Sequence, residues 1–346
     1  MNIRIVNKKD QAVWDEYVNG HINATPYQRF AWLLSVEQAY KHKNVSLIAL
    51  DNDKVVGVLP CIKMTFPFSK ARYCALPFCD LGFALADNET IIQNLKSESV
   101  ALLQTDGGKS FEYRDSLKPS PVHELEGQKV RMLLSLPTNA ETLMAGFKSK
   151  LRSQIRKSEK NGLTYSINNS QKQIDDFYHI LSINMRKLGS PVHSKKWFQC
   201  LFSNYAKHIF LSVVYSDNIP VGGGIVLRNA DKVSIPWAST VADYNRLAPN
   251  MMLYWSLLAH MCDIGCTEFD FGRSTYNEGT YKFKRQWGAE PVPLAWSNLA
   301  KIEIAVADES THHVNKIRTL VERTWAKLPL GVTTLLGPKI RKHISL

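Results

Sequence analysis

The chain has 346 residues, of which 45% are hydrophobic and 21% charged. That length exceeds one average domain and gives two domains room for their own cores, and the composition excludes a fibre or a disordered chain. Lys and Arg number 43 against 31 Asp and Glu, a formal charge of +12 that favours an anionic partner without choosing among phosphate, nucleic acid and a membrane face.

Residues Met1 to Asp10 turn polar within a few positions, and no uncharged apolar stretch of about 18 residues follows. Neither a signal peptide nor a spanning helix is predicted, and the expected location is the cytoplasm. Cys61, Cys74, Cys79, Cys200, Cys262 and Cys266 contain no Cys-x-x-Cys pair and no His at zinc spacing. They read as reduced core residues, and no metal site is predicted.

In chain order, the first helix signal runs from Trp32 through Tyr40. The apolar run Val45–Leu50 then meets the polar turn Asp51-Asn52-Asp53, and a second run begins at Val56-Gly57, which is a hairpin signal. Thr138 and Glu141, after Pro137, predict a capping box that starts a helix ending at Asn161-Gly162. A second helix and hairpin follow: Trp197 through Tyr205, Ile209–Tyr215, the turn Ser216-Asp217-Asn218, and Val221-Gly222. Gly222-Gly223-Gly224 falls inside a hairpin strand, where it permits close packing or a bulge. A strand is then expected at Lys232–Ser239, a loop at Thr240–Pro249, an apolar helix at Asn250–Asp263 closed by Gly265, and a strand at Thr267–Phe271.

The two helix-and-hairpin units share one offset. Sliding the chain by 165 positions puts Pro26 on Pro191, Trp32 on Trp197, Tyr40 on Tyr205 and Val56-Gly57 on Val221-Gly222. A repeat this long means two similar domains rather than a solenoid. Helix, hairpin, strand, loop, helix, strand resembles the order of the GNAT acyltransferase fold. The predicted fold class is therefore α/β, with two tandem GNAT-like domains of mixed, mostly antiparallel sheets flanked by helices, plus a C-terminal helical tail. The expected division is 1–140, 141–308 and 309–346.

Lys148, Arg152, Arg156 and Lys160 recur every four residues beside an apolar stripe of Phe147, Leu151 and Ile155. The basic stripe reads either as a solvated face or as a phosphate clamp, because Arg forks bind phosphate bidentately.

Residues 269–288 carry the most specific pattern: Phe269-Asp270-Phe271-Gly272-Arg273-Ser274, then Gly279, Phe283-Lys284 and Trp287-Gly288. With the basic helix at Lys150–Lys157, the loop Leu76-Pro77-Phe78-Cys79-Asp80 and the ending Leu336-Gly337-Pro338, this pattern resembles the FemAB family of aminoacyl and acyl transferases. It is most similar to the branch found beside exosortase exopolysaccharide loci. The resemblance implies two GNAT-like domains and transfer of an activated acyl group to an amine. It places Phe283-Lys284 near the reacting carbonyl, where the Lys would steady an oxyanion; the plainer reading is a surface Lys after a core Phe. Asp270 and Arg273 are the other expected catalytic residues, or else an internal salt bridge. Arg152, Arg156, Lys148, Asp80, Trp32 and Tyr281 form the expected substrate-binding set. Asp80 doubles as a candidate general base.

The resemblance implies no bound cofactor; the acyl donor is a co-substrate, aminoacyl-tRNA or acyl-CoA. One departure bears on that choice. The segment Arg246-Leu247-Ala248-Pro249-Asn250 has no glycine, and Pro249 removes a backbone donor, which argues against the usual pyrophosphate wrap of acetyl-CoA enzymes. No His-Glu-x-x-His or Gly-x-Ser-x-Gly motif is present.

In the tail, Val314, Ile317, Leu320, Val321, Thr324, Trp325 and Leu328 share one helical face. Seven Lys or Arg and one acid lie between 314 and 346. The segment reads as a helix docked on the second domain or as a peripheral contact with the anionic inner membrane surface. The expected partners are an anionic glycan or lipid-linked precursor and an aminoacyl-tRNA. The favoured function is acyl transfer to an amino group of a cell-envelope polysaccharide or peptidoglycan precursor. The alternatives are a non-catalytic envelope-assembly factor and, from charge alone, an RNA-binding protein, which lacks an aromatic recognition motif here.

Overall fold

Both hairpin turns form tight left-handed corners: Asn52 and Asp53 have φ of 47° and 64°, and Asp217 and Asn218 have 48° and 66°. Asn and Asp tolerate this region, and such turns match the twist of the strands they join. The structure, a computed structural model, describes residues 1–66, 69–116, 125–300 and 311–346, without the side chains of 311–318.

The first half runs β1 (Asn2–Ile5), α1 (Gln11–Gly20), α2 (Phe30–Tyr40), β2 (Lys43–Asn44), β3 (Leu47–Asp51), β4 (Lys54–Leu59), β5 (Ile62–Phe66), β6 (Ser69–Cys74), β7 (Leu85–Ala86), α3 (Glu89–Thr105), β8 (Phe111–Ser116) and β9 (Lys129–Ser135). The second runs α4 (Ala140–Gly146), α5 (Ser149–Lys160), β10 (Thr164–Ile167), α6 (Gln171–Lys187), α7 (Lys195–Tyr205), β11 (Ile209–Ser216), β12 (Ile219–Asn229), β13 (Lys232–Thr240), α8 (Pro249–Asp263), β14 (Glu268–Thr275), α9 (Gly279–Arg285) and β15 (Glu290–Asn298). α10 (Thr311–Lys327) and α11 (Leu330–Arg341) follow.

Among the described residues the strands form a small sheet, β1-β3-β4-β7, and a large one, β10-β11-β12-β13-β14-β9-β15-β8-β6-β5-β2. Pairing is antiparallel except at β13–β14 and β6–β8, which are parallel. The large sheet repeats about its middle. β9, the last strand of the first half, pairs with β14 of the second; β15 pairs with β8 of the first and with β9. Each half thus completes the other's sheet.

The 165-residue repeat is visible in the core. Trp32 of α2 and Trp197 of α7 meet edge to face, centroids 5.2 Å apart. Tyr205 donates to the carbonyl of Pro26 at 2.9 Å, ahead of α2, and Tyr40 lies 2.7 Å from His193, ahead of α7. The three glycines of β12 allow close approach: a Cβ on Gly223 would sit 3.0 Å from Phe177 of α6, and one on Gly224 3.2 Å from Leu257 of α8.

Three local expectations need correction. The helix predicted from Thr138 to Asn161 is two helices, and its cap is Asn139, whose side chain accepts from the amide of Thr142. Gly146 ends α4, and Phe147 turns extended at φ −73° and ψ 146°. That turn buries the Phe147 ring against Trp255 and Trp287. The face expected in the tail also splits. Trp325 is buried while Leu320 and Val321 stay 66% and 58% exposed where α10 contacts α6. Just beyond α6 the chain passes close to α10 at Gly189, where a Cβ would lie 2.5 Å from the Glu322 carbonyl oxygen. Val314 and Ile317 lie outside the described side chains.

Candidate active site

β13 and β14 pair at Lys232–Glu268, Val233–Phe269 and Ser234–Asp270, and then part. β14 turns away through a bulge between Asp270 and Arg273, where Gly272 has φ +72°, and continues beside β9 alone. A cleft of about 410 Å3 opens at the split. Trp237, Gly272, Arg273 and Lys284 line it from the second half, and Phe78 and Asp80 from the loop after β6.

Lys284 stands on α9 behind the bulge and is 8% exposed. Its Nζ donates to the carbonyls of Gly272 at 3.0 Å and Arg273 at 2.8 Å. Burial, opposed by the nearby Asp270 and Asp80, brings its pKa down to about 8. An ammonium has three donors, and these two carbonyls take two of them.

Asp80 faces the same bulge. Its Oδ2 accepts from the Arg273 amide at 3.1 Å, and its Oδ1 lies 3.4 Å from Arg273 Nε. Burial raises its pKa, and the Arg273 charge partly offsets that. Asp270 shapes the bulge: Oδ1 accepts from the Gly272 amide at 2.8 Å, and Oδ2 pairs with Arg131 at 3.0 Å. The expected internal bridge between Asp270 and Arg273 is therefore replaced by two bridges to the first half, one from Asp270 to β9 and one from Arg273 to the loop after β6. Trp296 of β15 closes the corner, with the Arg273 guanidinium 4.9 Å above its ring and its Nε1 donating to the Asp80 carbonyl at 3.1 Å.

The cleft gathers Lys284, Arg273 and Asp80, with Asp270 beneath. Phe283 lies behind it, its ring 5.0 Å from Tyr254. Tyr281 turns to Tyr276, 4.7 Å away. Trp32 is fully buried, stacked 6.0 Å behind Trp237, so it braces the wall and offers no surface to a substrate. The basic stripe is dispersed. Arg152 donates to the carbonyls of Ala145 and Phe147, at 3.2 and 2.6 Å, and so clamps the helix break. Arg152 and Arg156 border a hollow of about 620 Å3 beside Trp255, while Lys148 lines another of about 760 Å3 with Trp287. Neither hollow includes Lys284.

Sequence reasoning missed Tyr27, His193, Trp237 and Arg341, which also line the cleft. Tyr27 and His193 adjoin the repeated Pro26 and Pro191, the one signal that marked them. The turn into α8 keeps its glycine-free character: Ala248 takes φ +61°, and Pro249 is the first helical residue. Among the described residues no helix is long and apolar enough to cross a membrane, and no cluster of His, Cys, Asp and Glu is placed to hold a metal.

Residues 145–285 match the family model of the acetyltransferase (GNAT) domain. Solved structures share the whole architecture. FemX is 12% identical over 93% of this chain and 100% of that one, with a TM-score of 0.67. L-PGS from Bacillus licheniformis is 9% identical over 94% and 99%, with a TM-score of 0.56. A tandem GNAT protein from the clavulanic acid biosynthesis pathway is 8% identical over 87% and 99%, with a TM-score of 0.52. No curated protein matches the chain by sequence. The fold is thus that of tandem GNAT proteins, FemAB-like in its arrangement. The segment that matches the acetyltransferase (GNAT) domain model lies in the second half, and the split between β13 and β14 falls within it.

Proposed function

We propose that the cleft joins an activated acyl group to an amine of a cell-envelope polysaccharide or peptidoglycan precursor. The amine nitrogen attacks the carbonyl carbon of an ester or thioester, a C–N bond forms, and the C–O or C–S bond breaks. The observation that supports this is Lys284, fixed by two carbonyls with its third donor unspent. That donor suits the oxyanion of the tetrahedral intermediate. Asp80, a half-buried carboxylate with a raised pKa, is the group we assign to accept the amine's proton.

For the donor, the glycine-free turn at Ala248-Pro249 favours aminoacyl-tRNA over acetyl-CoA. Offering each donor in turn with amino-sugar acceptors and lipid-linked precursors, and weighing the product, tests the reading. Amide formation with either donor, lost in Lys284→Ala, supports it. Glycan binding without turnover of any donor would make the chain a non-catalytic assembly factor.

The tail supports a peripheral place at the inner membrane. Leu320, Val321, Leu335 and Ile340 of α10 and α11 are exposed, beside Arg323, Lys327, Lys339 and Lys342. Flotation with anionic vesicles checks this: Leu320→Glu with Leu335→Glu should abolish co-flotation, and unchanged binding would reject it.

A further inference from the structure

A second polar group lines the same cleft and has no part in the chemistry assigned to Lys284. Arg341, near the end of α11, and His193, just ahead of α7, both border the cavity. They meet across one ring: the Arg341 guanidinium lies 5.7 Å above Phe78, and His193 stands edge to face with Phe78 at 5.2 Å.

The hydrogen bonds fix what this corner lacks. Tyr40 Oη accepts the amide proton of Ser194 at 3.2 Å and lies 2.7 Å from His193 Nδ1. Where the phenol gives its one proton to Nδ1, the neutral imidazole carries its own proton on Nε2. His193 is 3% exposed, and its Nε2 is buried without a partner. Burial and the Arg341 charge hold its pKa well below the usual range, consistent with the neutral form. Arg341 donates to the Ile344 carbonyl at 2.9 Å, and among the described residues no carboxylate lies within ion-pair distance of it. Besides the Ile344 carbonyl that Arg341 already holds, the corner offers a positive charge and, with Nε2 protonated, an N–H without an acceptor. A buried N–H without an acceptor is costly, and an anionic oxygen group there would satisfy it while pairing with the half-buried Arg341 charge.

The backbone is also held against its preference. Phe78 has φ +73°, a region bulky residues avoid, and its amide donates to the Ser345 carbonyl at 2.5 Å. That bond ties the ring that Arg341 and His193 share to the segment following α11. The cleft wall nearby is apolar, with Leu181, Met185 and Trp237.

We propose that Arg341 and His193 form an anion subsite that receives a carboxylate or phosphate group of the substrate bound in the Lys284 cleft. The proposal rests on the reading of that cleft as the substrate site, and it adds a requirement: the substrate carries an anionic group besides the reacting amine or acyl carbon.

The test uses the full chain labelled with 15N-histidine, with His193 assigned by its loss in His193→Gln. Sodium acetate and inorganic phosphate are titrated separately at constant ionic strength. The expected result is an Nε2-protonated tautomer for His193 and a saturable shift of its Nε2 with one of the two anions. Whichever anion binds identifies the group. Arg341→Gln should weaken that binding at least about tenfold, and Arg341→Lys, which keeps the charge without the fork, should weaken it less. If Arg341→Gln melts early, the Lys variant gives the same reading. An Nδ1-protonated ring, no response to either anion, or wild-type binding in both Arg341 variants would overturn the subsite. Lys284→Ala should leave the anion shift intact, so a failure of acyl transfer and a failure of the subsite give different results.

Discussion

The two parallel strand pairs of the large sheet hold matching places in the strand order and differ in what fills the gap beyond them. Beyond Ser234 and Asp270 the gap between β13 and β14 stays open, and Lys284 stands behind it. Beyond Cys74 and Glu112 the gap between β6 and β8 is taken up by the chain itself. Residues 75–82 turn back, Gly82 bridges to Arg114, and the fully buried Arg114 donates to the carbonyls of Leu76, Cys79 and Ser345 at 3.3, 2.6 and 3.3 Å. What remains is a hollow of about 490 Å3 bordered by Arg72, Glu112 and His343, with no lysine in its lining. Each gap thus holds one buried cation on backbone carbonyls. In the first half that cation is also paired with Glu112 at 2.9 Å, is sealed from any cleft and leaves only its Nε without a partner, so it is structural; in the second the cation borders the open cleft. The filled gap is not idle, since the loop that fills it delivers Phe78 and Asp80 to the open one.

Exchanging the roles of the two cations would break this comparison. Arg114→Met leaves three carbonyls without their donor and should cost about 3 kcal/mol or more in denaturant unfolding. Lys284→Ala should instead lower turnover by about a hundredfold to a thousandfold with the melting temperature nearly kept. If Arg114→Met folds as firmly as the wild type, or Lys284→Ala turns over normally, the division of labour is wrong.

The sequence spoke most clearly where its signals were local. The Asn/Asp turns, the β12 glycines and the aromatic residues repeated at one offset each act through neighbours a few residues away or through packing any helix would need. They revealed the two similar halves. What stayed hidden depends on partners far along the chain. β9 and β15 could not be assigned to each other's halves, because nothing near Lys129 or Glu290 names β14 or β8 as the partner. Asp270 and Arg273 looked like a pair by proximity in sequence, yet the bulge at Gly272 sends their side chains to Arg131 and Asp80. Arg152 looked like a phosphate ligand by spacing, and its guanidinium instead satisfies the carbonyls freed where the helix breaks. His193 and Arg341 gave no motif because their common feature, a place around the Phe78 ring, exists only once three elements converge.

Two glycines sharpen the same contrast at smaller cost. A Cβ on Gly82 would sit 2.5 Å from the backbone nitrogen of Leu76, inside the filled gap, so Gly82→Ala should destabilise by about 2 kcal/mol. At Gly272 the nearest atom to a Cβ is Asp80 Oδ2 at 3.4 Å, and the strain comes from φ +72°. Gly272→Ala should therefore cost about 1 kcal/mol in thermal unfolding. It should lower activity more than stability, because the Gly272 carbonyl holds Lys284. A Gly272→Ala loss larger than that of Gly82→Ala would mean the open gap is the more tightly built of the two.

The gentlest probe is pH. Lys284 has its pKa lowered from 10.5 to about 8, chiefly by burial, so its ammonium is the main form at neutral pH. If that ammonium steadies the oxyanion, the rate should have fallen to half its plateau near pH 8 and continue to fall above it. In Lys284→Arg, whose guanidinium does not titrate in this range, the falling limb should disappear, whatever the variant's absolute rate. Stability moves the opposite way. The unfolded chain keeps the Lys284 proton up to about pH 10.5 while the folded chain releases it above about 8, so the folded wild type gains on Lys284→Met through that window. A wild-type rate that climbs steadily through pH 8 would show that the lysine acts neutral, as a base, and that the spare donor in the open gap is not what the reaction uses.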